Sequence, residues 1–492
     1  MKYLLGIDIG TTSAKVTLFD YDGNILIHSS RSYEVLRPYE GYAEQDPNIW
    51  YNAVTESVKD ISKEYDLSEV ISIGVDGQSW SMIPVDKDGN VLANTPIWID
   101  TRSTDICDDI KEIISEEELF KISGNPLSPS YALPKMLWFK KHKRDIYDRT
   151  YKFLQCNSYI VYKLTGKFST DYSQAYGFQF FDINKMEFDT SIANRLGVDL
   201  NKIPELYASD DVIGHVSLKA AKETGLSTET LVVAGGLDAA CATLGVGVIH
   251  DGETQEQGGT AGGMSICLSK PVAHEKLILG CHVVKDKWLL QGGTTGGSGV
   301  MNWWTHNFGN MESPNPYDEI REGAKDINPG SDGVIFLPYF QGERSPIWDT
   351  KAKGVFYGLD FTKTKDHMTR ALLEGVAYSL RDNIETAYEK DIKINKMVTM
   401  GGAANSVLWT QIKSDVVKIP ISIPYNISSA SSLGAAILAG IGAKVYSSYD
   451  EAIERCIKIK TTLVPNEDTY LAYDEGFKKY KEIYNRLKGV NN

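Results

Sequence analysis

The sequence predicts an α/β protein with two similar lobes and a cleft between them. Three observations support this fold. Apolar runs of strand length alternate with helical periodicity along the 492-residue chain. A hairpin with a tip of small residues and hydroxyls occurs in each half, near residues 3–21 and 254–268. The pattern breaks at residues 246–253, so we expect an N-terminal lobe of residues 1–247 and a C-terminal lobe of residues 248–492.

The first hairpin is a candidate phosphate site with an adjacent metal ligand. Its glycine, threonine and serine tip lets backbone N–H groups approach phosphate oxygens closely. Asp8, at the end of the first strand, is placed to hold a hydrated Mg²⁺ ion. An ordinary hairpin with a polar tip explains this segment alone equally well, and a lysine at a strand start is commonly just solvated. The residues predicted to contact phosphate here are Thr11, Thr12, Ser13 and Lys15.

The next elements alternate between helix and strand. Asp46 and Pro47 are typical of a helix start, and apolar residues recur at helical spacing up to residue 61. Residues 70–75 form a buried strand, followed by a tight turn at 86–90. Residues 105–170 are mostly helical, and we expect them to cover part of the cleft.

Asp238 is the candidate general base. It follows the apolar strand 231–237 and begins a helix of alanine, cysteine and glycine, which would aim its carboxylate into the cleft with little crowding. In phosphoryl transfer one carboxylate accepts the proton of the attacking hydroxyl. A helix-capping aspartate is the alternative, and spacing alone favours it.

The second half of the chain repeats the predicted arrangement of the first, a hairpin with a tip of small residues and hydroxyls. The hairpin at residues 254–268 carries Gly259 and Thr260 at its tip, so the two tips would grip a polyphosphate from both sides. A third segment, residues 398–405, combines glycines that permit close approach of a flat base with an amide that can bind it. Its predicted contacts are Gly401, Gly402 and Asn405. The chain ends in a predicted helix over residues 470–487.

Composition narrows the function classes. The net charge of −14 argues against nucleic acid and anionic membranes as partners. The six cysteines have no metal-binding spacing, which indicates free thiols in a reducing compartment. No apolar run has signal-peptide or transmembrane character, so we expect a cytoplasmic protein.

Two further segments carry a family resemblance. Residues 354–359, a seven-residue gap and residues 367–374 match the second signature of the FGGY carbohydrate kinases, and residues 337–346 are similar to another segment of that family. The chain resembles this family over nearly its whole length, with spacing closest to the xylulokinases. The resemblance implies two actin-like (ribonuclease H-like) lobes of the actin/hexokinase/heat-shock-protein ATPase superfamily.

The resemblance also implies an activity: transfer of the γ-phosphate of ATP, with Mg²⁺, to D-xylulose, by a homodimer. It favours the general-base role for Asp238 and implies that Gly299 lies near the adenine. Residues 77–81 depart from the family, because Ser79 and Trp80 replace a methionine and a histidine that touch the sugar in xylulokinases. Trp80 either stacks on the sugar or packs in the core. The predicted sugar contacts are Gln78, Ser79, Trp80, Asp100 and Asp238, although Asp100 also suits a structural pair with Arg102.

The sequence is also compatible with other substrates and other classes of function. Ribulose, gluconate, erythritol or glycerol are alternative substrates within the family. A non-enzymatic ATPase of the same superfamily would share the phosphate tips, and a sugar-binding regulator would have lost catalysis. Retention of Asp8, Asp238 and both tips argues against such a regulator.

Overall fold

A computed structural model describes residues 2–490 of the chain as an α/β protein with two seven-stranded sheets. The strands of residues 2–250 are β1 Tyr3–Ile9, β2 Ser13–Phe19, β3 Ile25–Ser32, β4 Glu44–Gln45, β5 Val70–Gly77, β6 Ile83–Val85, β7 Thr95–Pro96, β8 Lys152–Leu154, β9 Thr170–Asp171, β10 Phe181–Asp182, β11 Glu187–Phe188, β12 Leu206–Tyr207, β13 Val212–His215, β14 Leu231–Val233 and β15 Gly236–Leu237. Those of residues 251–490 are β16 Glu253–Gly258, β17 Gly262–Leu268, β18 Ile278–Cys281, β19 Trp288–Thr294, β20 Ile335–Leu337, β21 Val355–Tyr357, β22 Lys396–Met400, β23 Ile421–Pro424 and β24 Ile459–Leu463.

Seventeen α-helices lie between and after these strands in residues 2–490. They are α1 Pro47–Ile61, α2 Thr104–Ile113, α3 Glu116–Ser123, α4 Ala132–His142, α5 Arg144–Arg149, α6 Cys156–Thr165, α7 Tyr172–Ala175, α8 Thr190–Arg195, α9 Leu218–Thr224, α10 Asp238–Gly245, α11 Ser298–Phe308, α12 Pro316–Glu322, α13 Lys365–Tyr388, α14 Val407–Val417, α15 Ala430–Gly442, α16 Tyr449–Cys456 and α17 Tyr470–Leu487. Within residues 2–490, no helix has the length and apolar character needed to cross a membrane.

The two sheets repeat one arrangement. The first has the strand order β13-β14-β5-β1-β2-β3, with β15 as its seventh strand paired to β5. The second has the order β18-β19-β17-β16-β22-β23-β24. In each, an antiparallel hairpin has a parallel strand beside its first member: β1–β2 lies beside β5, and β16–β17 lies beside β22. The predicted duplication is therefore confirmed, and each Gly-Thr tip lies at the carboxyl end of a parallel strand pair.

Glycines fix helix α15 against the first sheet, although this helix comes from the second half of the chain. A Cβ atom at Gly6 or Gly74 would lie 2.0 or 1.9 Å from a carbonyl oxygen of α15. A Cβ at Gly434, within α15, would lie 1.9 Å from the carbonyl oxygen of Cys241 in α10. Backbone therefore packs directly on backbone, and larger side chains at these positions would separate the halves.

One predicted strand is interrupted. The apolar run 231–237 forms two short strands, β14 and β15, which both pair with β5. Gly235 lies between them in the left-handed region with a φ of 70°, and a Cβ there would lie 1.8 Å from the carbonyl oxygen of Val75. This break redirects the chain just before Asp238. The predicted helix at residue 46 is confirmed as α1, whose N-cap is Asp46.

Candidate active site

Three carboxylates converge at the carboxyl end of the first sheet. Asp8 and Asp76 are direct partners in the parallel pair β1–β5. Asp238 follows β15, whose Gly236 pairs with Asp76. Ligands of α/β proteins commonly bind at the carboxyl ends of parallel strands, where the side chains of several strands meet. The fold thus groups two predicted site residues with Asp76, which follows the same strand pattern.

Burial and mutual repulsion make this cluster reluctant to ionise fully. Burial, and then the charge of Asp8, raises the pKa of Asp238 to about 7. Burial and the charges of Asp8 and Asp238 raise the pKa of Asp76 well above its ordinary value. Burial also raises the pKa of Asp8, while Asp76 and Lys15 oppose that rise. A group with a pKa near neutrality is suited to accept a proton from a substrate.

The capping alternative does not describe Asp238. It is the first residue of α10, and the N-cap position belongs to Leu237, which makes no side-chain cap. The Asp238 carboxylate accepts a hydrogen bond at 2.7 Å only from the adjacent Ala239 N–H, whereas a capping side chain bonds the N–H two or three residues on. Its remaining acceptor capacity is available to a ligand.

The carboxylate oxygens here suit a hard cation such as Mg²⁺. Asp8 is half-buried, and both carboxylate oxygens of the fully buried Asp76 lack a protein donor. Among residues 2–490, no three His, Cys, Asp or Glu side chains form a ready-made metal cage. Mg²⁺ is commonly held by one or two carboxylates together with substrate phosphates.

The segment after β5 presents unpaired polar atoms. The backbone N–H of Gln78 donates to Ile9 and its side-chain amide donates to Gln45, both at 2.9 Å, which leaves the buried Oε1 atom without a partner. Trp80 is 8% exposed, and its indole N–H has no acceptor. Buried polar atoms are rarely left unpaired, so these two are candidates for substrate hydroxyls.

The Trp80 ring itself is packed. Its centroid lies 4.2 Å from that of Tyr131 and 5.6 Å from that of Tyr176. A Cβ at Gly177 would lie 2.2 Å from the indole, so this glycine makes room for the ring. The core packing that the sequence allowed for Trp80 is therefore observed. Ser79 is half-buried beside it.

Protein groups hold the first tip in shape. Thr11 accepts hydrogen bonds from the Trp98 indole at 3.0 Å and, through its carbonyl, from Gln45 at 2.8 Å. Thr12 is exposed at the turn, and the Ser13 carbonyl accepts from Gly10 at 3.0 Å.

Lys15 points instead toward the other half of the chain. Its ammonium donates to the Ser428 carbonyl at 3.1 Å and to the Ser429 hydroxyl at 2.7 Å. These contacts join the first hairpin to the start of α15. Burial lowers the pKa of Lys15, although Asp8 and Asp76 oppose the change. Its predicted contact with phosphate remains a prediction.

The second tip rests on the start of α11. The Gly259 carbonyl accepts from Ser298 at 2.7 Å, and the Thr260 carbonyl accepts from Gly299 at 3.0 Å. A Cβ at Gly299 would lie 2.9 Å from the Thr260 carbonyl oxygen, so a side chain there would displace the tip. Gly299 thus supports the predicted phosphate tip. Thr260 itself is exposed.

A cavity beside the second tip is large enough for a nucleoside. Its volume is about 580 Å³, within the range typical of ligand sites. It brings Gly402 and Asn405 together with residues of α11 and α12. A Cβ at Gly402 would meet nothing within 4 Å, so this glycine borders open space. The other residues that line the cavity include Ser298, Met301, Asn302, Tyr317 and Arg321.

Asp100 is occupied by protein donors. It is fully buried, and its two oxygens accept from the Arg102 guanidinium and backbone N–H at 2.8–3.0 Å and from the Ala43 N–H at 2.6 Å. Glu44 binds the same guanidinium at 2.7 Å. Asp100 therefore has the structural pairing with Arg102 that the sequence also suggested, and its contact with the sugar stays a prediction.

The sequence did not single out several residues that the structure brings to the site. Gln174 and Lys135 bind the backbone around Trp80, and Ser173 binds the backbone before Asp238. Tyr317 lines the nucleoside-sized cavity. None of them belongs to a local motif that has a chemical meaning of its own. Only their long-range contacts reveal them.

Comparisons with known proteins cover both halves of the chain. The model of the N-terminal domain of the FGGY family of carbohydrate kinases matches residues 3–245, and that of its C-terminal domain matches residues 258–443. The xylulose kinase of Bacillus subtilis (strain 168) is 30% identical over 501 residues, covering 100% of this chain and 98% of the relative. The gluconokinase of the same organism is 31% identical over 481 residues, with 96% and 93% covered. The ligand-bound xylulose kinase from Lactobacillus acidophilus, a solved structure, is 26% identical with a TM-score of 0.92, covering 100% of this chain and 99% of that one.

Proposed function

The chain belongs to the FGGY family of carbohydrate kinases, and from this premise we propose that it transfers the γ-phosphate of ATP to a hydroxyl group of D-xylulose. Kinases of this family use ATP as co-substrate. The observation that carries the assignment of the reaction site is Asp238, a carboxylate with a pKa near 7 that accepts a single protein hydrogen bond and stands where two parallel strands end.

The proposed reaction assigns a role to each side of the cleft. The sugar lies against Gln78 and Trp80, whose unpaired carbonyl oxygen and indole N–H accept from and donate to its hydroxyls. Asp238 takes the proton of the attacking hydroxyl, and the resulting alkoxide attacks the γ-phosphorus while ADP leaves. Exclusion of water from the closed cleft favours the sugar over hydrolysis.

ATP would lie across the second lobe. The exposed tips at Thr12 and Thr260 face its phosphates with backbone N–H groups and hydroxyls. The adenosine would enter the cavity beside Gly402 and Asn405. Asp8, with Asp76 beside it, would hold Mg²⁺, which neutralises negative charge on the phosphates when it is bound.

Gluconate or another linear polyol is the second candidate for the sugar. Ser79 and Trp80 replace the methionine and histidine of the xylulokinases that this chain resembles. An indole can only donate a hydrogen bond, whereas an imidazole can both donate and accept one. A gluconokinase is also among the relatives of 30% identity or more. This departure bears on which hydroxyls are recognised, while the phosphoryl-transfer machinery is unaffected.

Coupled measurement of ADP release tests the proposal. Purified protein with Mg-ATP is assayed against D-xylulose, ribulose, gluconate, erythritol and glycerol, and without sugar. We expect sugar-dependent ADP release with the highest kcat/KM for D-xylulose. A higher kcat/KM for another sugar would make that sugar the substrate in place of D-xylulose. Equal ADP release with and without sugar would indicate an ATPase. The homodimer stays a prediction, which sedimentation velocity tests. The domain boundary at residue 247 also stays a prediction, which limited proteolysis tests.

A further inference from the structure

We propose that one buried turn, residues 171–174, is a positioning element that sets the distance between the catalytic carboxylate and the sugar-binding segment. This inference rests on the proposed function, because it assigns Asp238 and residues 77–80 to the two sides of one sugar. The turn comprises the end of β9 and the start of α7, and its side chains at 171, 173 and 174 are fully buried.

One arm of the turn holds the approach to Asp238. The Ser173 hydroxyl accepts a hydrogen bond at 2.8 Å from the backbone N–H of Leu237, the residue just before Asp238. It donates to Asp171 at 2.5 Å, which fixes its orientation. A Cβ at Gly236 would lie 2.7 Å from this hydroxyl, so the contact depends on a glycine there.

The other arm holds the sugar-binding segment. The Gln174 side-chain oxygen accepts a hydrogen bond at 3.1 Å from the backbone N–H of Trp80. The Gln174 amide nitrogen donates to the backbone carbonyls of Gly77 and Gln78 at 3.3 and 3.2 Å. Trp80 has a φ of 50°, a conformation that bulky residues adopt only when their surroundings enforce it. Gln174 thus supplies polar contacts that help to hold this strained residue.

Asp171 and Asn157 join the two arms. Asp171 accepts from Ser173, from the Gln174 N–H at 3.2 Å and from the Asn157 amide at 2.9 Å. The same Asn157 amide donates to the Ala234 carbonyl at 3.3 Å, at the break that redirects the chain toward Asp238. A shift on one side is therefore transmitted to the other through a fully buried hydrogen-bonded network.

Such a connection matters because the sugar hydroxyl must lie within hydrogen-bond reach of Asp238 while residues 77–80 hold the rest of the sugar. A misplacement of about 1 Å lowers the rate by roughly a hundredfold. The network predicts different kinetic losses from its two arms. Loss of the Ser173 contact should misplace the base, and loss of the Gln174 contacts should loosen the sugar.

The test compares Ser173→Ala and Gln174→Met on the best sugar of the wild-type protein, with Ser57→Ala as control. Ser57 is a fully buried serine of α1 whose hydroxyl has no partner, so it matches the loss of a buried hydroxyl without touching the site. We expect Ser173→Ala to lower kcat by about 10- to 100-fold with the sugar KM within threefold of wild type. Gln174→Met should raise the sugar KM by roughly tenfold with a smaller loss in kcat. The KM for ATP should stay constant in both.

Two conservative variants keep the test independent of folding. Ser173→Thr retains the hydroxyl and should recover most of kcat. Gln174→Glu keeps an acceptor for the backbone N–H of Trp80 but loses the bonds that the Gln174 amide donates to Gly77, Gln78 and Asn157. Its sugar KM should therefore rise even if Gln174→Met does not fold. The proposal would be overturned if the Ser173 and Gln174 variants changed kcat and the sugar KM by the same factors. It would also be overturned if neither variant changed them more than Ser57→Ala does. Because the wild-type substrate is established first, a wrong choice of sugar is detected separately.

Discussion

Replacing Asp238 with asparagine removes the proposed base and retains the shape of the side chain. Loss of a general base typically costs about 10²- to 10⁴-fold in rate, equal to about 3 to 5 kcal/mol of transition-state stabilisation. The carboxylate accepts only one hydrogen bond, from Ala239, and the asparagine carbonyl can accept the same bond. We therefore expect kcat to fall by this factor while the KM values for ATP and sugar change less than threefold.

The same substitution has a second, opposite effect on stability. The pKa of Asp238 is about 7 in the folded protein, against 3.8 for an ordinary aspartate, so its ionisation opposes folding. Below about pH 3 the carboxyl is neutral in both the folded and the unfolded state, and it costs no folding free energy. Above pH 7 it is charged in both, and the full penalty applies, about 1 to 3 kcal/mol after allowance for its partial exposure. Asp238→Asn should therefore unfold at a higher temperature than wild type at pH 8 and at about the same temperature at pH 3.

The pH dependence of the wild-type protein supplies a matching signature. Since the base must be ionised, kcat/KM should fall about tenfold per unit as the pH drops below about 7. The apparent pKa belongs to the interacting carboxylates together, because the charge of Asp8 adds to the effect of burial on the pKa of Asp238.

Steady-state kinetics of Asp238→Asn and wild type from pH 5.5 to 9 check the first and third expectations. Thermal unfolding of both proteins at pH 3 and pH 8 checks the second. A variant that keeps more than a tenth of wild-type kcat would refute the role of Asp238 as base. A variant less stable than wild type at pH 8 would show that the carboxylate serves the fold. Asp88→Asn, at an exposed carboxylate in the turn at residues 86–90, is a suitable control for the loss of one negative charge.

The remaining predictions concern the metal, the nucleotide and the sugar. Asp8→Ala should weaken the use of Mg-ATP, and a magnesium titration that leaves turnover unchanged would count against its metal role. Gly402→Trp should raise the KM for ATP by about tenfold while the sugar KM stays constant, because the glycine borders open space in the cavity and the fold can accept the side chain. Equal losses for both substrates would assign Gly402 to folding. Trp80→His combined with Ser79→Met should raise kcat/KM for D-xylulose relative to the other sugars, since an imidazole both donates and accepts. If wild type already prefers D-xylulose and the double variant lowers that preference, the departure at these positions is neutral packing.

Local patterns predicted the elements that bring the site together. The two hairpins are visible in sequence because a strand, a small-residue tip and a second strand are consecutive, and Asp46 marks the start of α1 through short-range capping. Asp8 and Asp238 could be selected because each ends an apolar strand. The helical character of residues 105–170 followed from their periodicity and is confirmed by α2–α6.

Contacts between distant segments could not be predicted in this way. In the sequence, nothing distinguishes Lys135 from the other lysines of predicted helices. In the structure it is fully buried, and its ammonium donates to the carbonyls of Trp80, Ile97 and Ser130 at 3.1, 2.8 and 2.7 Å. Burial lowers its pKa to about 7. Its role depends on three backbone oxygens that only the tertiary fold brings together. The same holds for Gln174.

Phosphorus NMR of the complete reaction tests the central claim most directly. Protein, Mg-ATP and D-xylulose are mixed, and the products are followed until ATP is consumed. Sugar-directed phosphoryl transfer predicts one new phosphomonoester resonance per ADP formed and little inorganic phosphate, with both signals delayed by orders of magnitude in Asp238→Asn. ADP accompanied by inorganic phosphate instead of a sugar phosphate would contradict the assignment of this site to a sugar hydroxyl.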